Sequence, residues 1–298
     1  MESLANLGSN VLSDLVFWLS SGLACWLLIL VAERRFVKLF GAKHDRTLKI
    51  YLSNLWDRES THSYTPIVSG HEFQATRAIT QLFGDAPFRM PDIARGLVDS
   101  FFAKDRLDWS FVVSPLDPEE IAFSNMIVIG ASPKNSVRRY CLAAGLPYLA
   151  FIGEDVNPPA GIHASGVAQG VRILKGPRVG ETIEGRYSFA IVEKSRDEKH
   201  NAVVITCAGV RADGSWAATE YLVRHWKELA KAHGEDWFAI CLGFPVTTEY
   251  MNSYVEPRIL ETLSASDPEN GSAPLHRPRA LSARLRTALH RTRQPRVD

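Results

Sequence analysis

The chain has 298 residues, 46% of them hydrophobic and 22% charged, so it carries enough apolar side chains for a large core and is not a disordered polymer. A net charge of +1 leaves no global field to attract nucleic acid, which is therefore not an expected partner. Cys25, Cys141, Cys207 and Cys241 are too scattered for a disulfide framework or a zinc spacing, and they read as free, buried thiols in a reducing compartment.

After an N-terminal segment at 1–11, the stretch Leu15 to Ala32 runs for 18 residues without a charge, close to the length that spans a hydrocarbon core. A transmembrane helix is expected over 12–33. Glu2 and Asp14 precede it, whereas Arg34, Arg35, Lys38, Lys43, Arg46 and Lys49 follow. That asymmetry predicts a single-pass protein of the cell membrane with its C-terminal domain in the cytoplasm and membrane lipid as a partner. No basic residues precede the run and no small-x-small site follows it, which argues against a cleaved signal. Ser20, Ser21, Gly22 and Ala24 form a small-residue face through which two such helices could pair into a homo-oligomer.

The remainder reads as an α/β protein: a doubly wound, mostly parallel sheet with a β-rich insertion, in a first half at 46–152, an insertion or linker at 153–186 and a second half at 187–263. Lys49 to Ser53 is a short apolar strand, and His71 to Phe83 an amphipathic helix ended by Gly84. Asp92 to Phe102 reads as a second helix and Trp109 to Val113 as a strand leading into Ser114-Pro115. Asn125 to Gly130 is almost wholly apolar, as a strand covered on both faces should be, and leads to a helix over Val137 to Ala144. Glycines and prolines then cluster to residue 186. Tyr187 to Val192 and Ala202 to Cys207 resume as strands, separated by a charged turn from Glu193 to His200. A helix over Trp216 to Ala232 and a last strand over Trp237 to Leu242 complete the core. Residues 264–298 form a flexible basic tail whose final stretch, from Arg277 on, has seven arginines against Asp298; Leu281, Leu285 and Leu289 recur at four-residue spacing, so the tail is either solvated or laid along an anionic leaflet.

In a doubly wound sheet, ligands bind beyond the carboxyl ends of the strands, where loops open into helix N-termini. Two loops have suitable chemistry. Gly130, Ser132, Lys134, Asn135 and Ser136 combine a permissive backbone, hydroxyls, a cation and an N-cap; Gly209, Arg211, Asp213, Gly214 and Ser215 offer the same ingredients, with Asp213 or Ser215 as a ribose partner. Neither has Walker or dinucleotide spacing, so both loops equally suit plain structural turns. Glu72 in the first helical turn is the candidate catalytic residue, as acid/base or nucleophile, although a carboxylate there also stabilises the helix dipole with no further role. The nine histidines show no i, i+4 pair of a zinc hydrolase, and no Gly-x-Ser-x-Gly elbow is present, so neither a metal site nor a hydroxyl nucleophile is expected.

The runs IYLSN, GHEFQATRAI and NMIVIGASPKNSVRRYCLAAGLPYLAF resemble the nucleotide-processing and nucleotide-sensing α/β folds: nucleoside deoxyribosyltransferase-like, TIR-like and Rossmannoid sensor domains of bacterial membrane-anchored, defence-type proteins. The stretch that holds them, residues 50–151, covers about a third of the chain. The deoxyribosyltransferase-like enzymes use a helix glutamate as nucleophile after an Asp-Gly-containing loop; here the loop carries Pro133-Lys134-Asn135, a departure that favours binding over catalysis. The run AGVRADGSWAATEYL is similar to a segment of uncharacterised bacterial proteins. The resemblance implies a membrane-anchored module that binds or senses a nucleotide or phosphorylated metabolite. The alternatives are a nucleotide-processing enzyme that cleaves an N-glycosidic bond through Glu72, and a structural subunit of a membrane complex without ligand. Which nucleotide would serve as ligand is open.

Overall fold

The computed structural model describes residues 16–24, 27, 31, 34–41, 47–54, 68–84, 108–115, 120–131, 135–154, 170–245 and 254–265. The chain divides into two units, Met1–Asp267 and Pro268–Asp298. The second unit, with the basic tail, lies outside the described residues, as do the expected helix at Asp92 to Phe102, Cys25, and Ser132 and Lys134 of the first loop.

Among the described residues, ten strands and three helices follow the N-terminal helical residues: β1 (Thr47–Leu52), α1 (Gly70–Gly84), β2 (Asp108–Val113), β3 (Asn125–Ile129), α2 (Ser136–Ala143), β4 (Leu149–Phe151), β5 (Gly170–Ile173), β6 (Thr182–Glu184), β7 (Tyr187–Asp197), β8 (Ala202–Gly209), α3 (Ala212–Ala232), β9 (Phe238–Pro245) and β10 (Arg258–Ser264). Seven strands form one sheet in the order β10-β9-β7-β8-β3-β1-β2, and β4-β5-β6 form a second, antiparallel sheet. The fold is thus α/β with a large, mostly parallel sheet. The ladders β2·β1, β1·β3 and β3·β8 are parallel, and β7 and β10 run against them, leaving five of seven strands in one direction. The two halves expected at 46–152 and 187–263 contribute to this one sheet, joined where Ile129 pairs with Cys207.

Both faces are covered, which is why β3 is buried at every position. On one face, Ile50, Ile127, Ile205 and Ile240 meet Ala75 and Ile79 of α1 and Ala218, Leu222 and Trp226 of α3. The other face carries α2 through Val137 and Cys141, and the small sheet through Leu149, Val171 and Ile173. Cys141, Cys207 and Cys241 are free and buried, and burial pushes each thiol up to about 12, which leaves them protonated and unreactive near neutrality.

Three expectations are revised. The stretch Glu193 to His200 is not a charged turn throughout, because β7 continues to Asp197 with Glu193, Lys194 and Asp197 buried and partnered. A further strand, β10, follows the one expected to be last and pairs antiparallel with β9. The core also begins upstream of residue 46: Leu39 and Phe40 are fully buried, and Phe36 packs against Phe83 and Trp226 at ring distances of 5.3 and 5.2 Å. Residues 34–40 are helical and their terminal carbonyls are held, Gly41 by Asn125 Nδ2 at 3.1 Å and Lys38 by Lys194 Nζ at 2.9 Å. Residues 16–24, 27 and 31 are helical as well, yet Phe17, Trp18, Leu19, Leu23 and Leu27 are all at least half exposed. Among the described residues no helix is long and apolar enough to cross a membrane.

Candidate functional site

The parallel strands end together at one edge of the sheet, where β1 leads toward α1 on one face and β3 toward α2 on the other. Such a divergence opens a crevice between neighbouring carboxyl ends. At these ends the sheet presents a floor of Ser53 after β1, Ser114 after β2 and Gly130 after β3, all of them buried. Gly130 has φ +111°, and a Cβ there would collide with the Ser53 hydroxyl and stand 3.2 Å from Glu72 Oε1, so only glycine fits.

Glu72 reaches this floor from the first turn of α1. The helix start is set by Ser69, whose hydroxyl accepts the Glu72 backbone N–H at 3.1 Å, in the Ser-x-x-Glu spacing of a capping box. Burial raises the Glu72 carboxyl above its ordinary value, outweighing the Ser53 hydroxyl and the Ser69 backbone group, which both lower it. Glu72 is 3% exposed, and its Oε2 has no hydrogen-bond partner among the described residues. An unpaired buried carboxylate oxygen is costly, which makes this atom the site's chemical anomaly.

The two loops differ in what they leave free. In the first, Asn135 caps α2: its Oδ1 accepts from Val137 N at 3.0 Å and Arg138 N at 3.1 Å, and its Nδ2 donates to Ile129 O at 2.9 Å. Ser114 Oγ accepts from Ser136 N at 2.9 Å, and Ser136 Oγ donates to the Pro115 carbonyl. The first N–H groups of α2 are therefore already satisfied, and Asn135 and Ser136 hold the loop rather than face solvent.

In the second loop, Gly209 and Gly214 are in backbone contact, and a Cβ on either would press α3 away from β8. Ser215 Oγ accepts from Gly209 N at 3.0 Å and so closes the loop. Arg211, the N-cap of α3, makes no side-chain cap bond and is mostly exposed, with Asp213 Oδ1 3.6 Å from its Nε and 2.9 Å from Gly214 N. The loops spring from adjacent strands, and His71 approaches Trp216 with ring centroids 6.2 Å apart, so α1 and α3 begin side by side. Glu72, Gly130, Asn135, Ser136 and the loop from Gly209 to Ser215 thus share one edge of the sheet.

Ser53, Ser69 and Ser114 were not singled out in the sequence as site residues. Their signals are a polar residue directly after an apolar strand, and the Ser-x-x-Glu spacing itself. Among the described residues no group of three or more His, Cys, Asp or Glu side chains is placed to hold a metal ion. No family model, curated protein or solved structure matches this chain.

Proposed function

We propose that the chain is a membrane-anchored module that binds a nucleotide or a similar phosphorylated metabolite in the crevice at the carboxyl ends of β1 and β3. The observation that carries this reading is Glu72 Oε2, a buried acceptor without a partner among the described residues, beside a glycine position that no side chain can take. A ribose or sugar hydroxyl donating to it would complete the site. With the α2 amides consumed, the exposed Arg211 is the cation left at this edge for the anionic part of the ligand, which would compete with Asp213 for it. The exposed apolar residues Phe17, Trp18, Leu19, Leu23 and Leu27 support insertion of the N-terminal segment in lipid, with the α/β module on the cytoplasmic side.

The rise in the Glu72 pKa favours one second reading, an enzyme that protonates the leaving base of an N-glycosidic bond. A thermal-shift screen of the full chain in detergent against nucleotides, nucleosides and sugar phosphates tests both. A ligand at a hundredfold excess over its Kd should stabilise the fold by about 2.7 kcal/mol. Binding without release of a free base supports the module, and base release supports the enzyme. No shift with any compound overturns both.

A further inference from the structure

The two ends of the large sheet differ in what they hold. The crevice occupies the carboxyl ends of β1, β3 and β8, whereas residues 34–41 are fastened at the amino ends. There Gly41 O accepts from Asn125 Nδ2 at 3.1 Å, and Asn125 is the first residue of β3. The Oδ1 of the same side chain accepts from Val203 N at 3.0 Å, at the start of β8. Gly41 has φ +76°, and a Cβ there would collide with the Val203 side chain, so the helix end sits directly against the sheet. Lys194, buried near the end of β7, donates to Lys38 O at 2.9 Å and to Gly234 O at 2.7 Å, and so ties this helix end to the end of α3.

Side-chain packing repeats that placement. Both α1 and α3 start at the crevice, and it is their far halves that meet residues 34–41. Phe83 packs against Phe36 and Phe40 with ring centroids 5.3 and 5.2 Å apart, and Trp226 against Phe36 at 5.2 Å. Phe83 in turn lies 5.8 Å from Trp109, the second residue of β2. Hydrogen bonds, a close backbone approach and an aromatic cluster thus hold this stretch as part of the core. Since α1 has 15 residues, its start, which carries Glu72, lies about 20 Å from this attachment at 1.5 Å per residue.

We propose that the amino end of the sheet is the membrane-facing surface of the module, seated on lipid headgroups, and that the crevice opens on the far side into water. The inference rests on the reading that the N-terminal segment enters lipid, which the exposed Phe17, Trp18, Leu19, Leu23 and Leu27 support. A helix fastened at one end of the sheet brings that end to the bilayer first, and a water-soluble ligand then reaches the crevice without passing lipid. Arg34 and Arg35 are exposed where the helix joins the module, and Lys227 Nζ lies 5.6 Å from the ring centroid of Trp226, which Phe36 touches. Long basic side chains placed there suit the headgroup level. Glu228 and Glu235 are exposed at the same end, so the attached helix, and not a uniform basic field, sets the orientation.

The test is fluorescence quenching of the full chain in vesicles whose lipids carry a nitroxide on the headgroup. Single labels are placed at Lys199→Cys, in the turn between β7 and β8 at the amino end, and at Phe73→Cys, beside Glu72. Both positions are exposed, so the fold should be kept; a Cys25→Ser background leaves only the buried Cys141, Cys207 and Cys241. The label at 199 should be quenched at least about threefold more than the label at 73, because the two ends stand about 20 Å apart. Equal or stronger quenching at 73, or none at either site in protein that floats with the vesicles, would overturn the proposal while the anchor stands. Protein that does not float with the vesicles would instead remove the anchoring reading, and the proposal with it.

Discussion

Glu72 and Glu193 are both buried carboxylates in the same α/β unit, and they are treated in opposite ways. Glu193 is fully enclosed and fully used: Arg138 Nη1 donates to Oε1 at 2.5 Å, and Oε2 accepts from Tyr148 N at 3.0 Å and Leu149 N at 3.2 Å. Arg138, itself fully buried, also donates to Glu154 at 3.2 Å and to Leu149 O at 2.8 Å. Burial works against its charge, but Glu154 and Glu193 outweigh it and raise its pKa. This network ties α2, β4 and β7 together. Glu72 has a hydrogen bond from Ser53 and one oxygen with no partner among the described residues. The contrast shows that this fold can satisfy a buried acid completely where the role is structural, and the incomplete shell at Glu72 is what the proposed ligand would complete.

The largest expected effect follows from breaking the satisfied pair. Glu193→Ala should destabilise the protein by about 3–5 kcal/mol, since it takes one of the two carboxylates from a fully buried Arg138 and the acceptor from Tyr148 N and Leu149 N, and a urea midpoint measures it. Arg138→Met with Glu193→Leu should not recover that loss, because it strands Glu154, the second buried carboxylate on Arg138, and takes the acceptor from Tyr148 N and Leu149 N.

The next effect concerns the upstream edge of the core. A chain starting at Lys43 loses Leu39 and Phe40, each fully buried, and should unfold or aggregate, whereas one starting at Arg34 should fold. Phe40→Ala in the full chain should cost about 3–5 kcal/mol. Circular dichroism melts of the three proteins decide this, and a folded Lys43 start would show that the N-terminal helix is only a tether.

The Glu72 side of the comparison gives a smaller effect with a definite sign. Its folded pKa is raised, so the folded state retains the proton longer than the unfolded chain. The contribution to stability is present below the unfolded value of about 4.3 and is lost as pH rises through the folded value. Wild type should therefore lose stability over that window relative to Glu72→Gln, and the two should differ least at the acid end. A parallel pH series of unfolding midpoints would contradict the assignment. The smallest effect belongs to the exposed Lys38–Glu235 pair at 3.8 Å, where Lys38→Ala should change stability by no more than about 0.5 kcal/mol.

What was legible in the sequence was what local pattern encodes. The wholly buried β3, the parallel core from β1 to β8 and the helix now seen as α3 follow from apolar runs and 3.6-residue spacing. The second half of β7 was not legible, because Glu193 and Lys194 look solvent-bound until partners 55 residues away at Arg138 and 156 residues away at Lys38 are known. β10 is an edge strand whose Ile259, Leu260 and Leu263 sit among charged and polar residues without clean alternation. At the site, Glu72 and the loop positions were nameable from residue type and spacing. The distinction between Asn135 and Ser136, already spent on capping, and Glu72, left open, depends on Ser53, Ser114 and Gly130, which only the sheet brings together.

The most direct measurement is an isothermal titration of the full chain, wild type beside Glu72→Gln, with whichever nucleotide or sugar phosphate stabilises the wild type most. Hydrogen bonds to a charged group are worth about 1.5–3 kcal/mol, so the variant should bind at least about tenfold more weakly while its unfolding midpoint near pH 7 stays equal or rises. Equal affinity in the two proteins would contradict the placement of the ligand at Glu72.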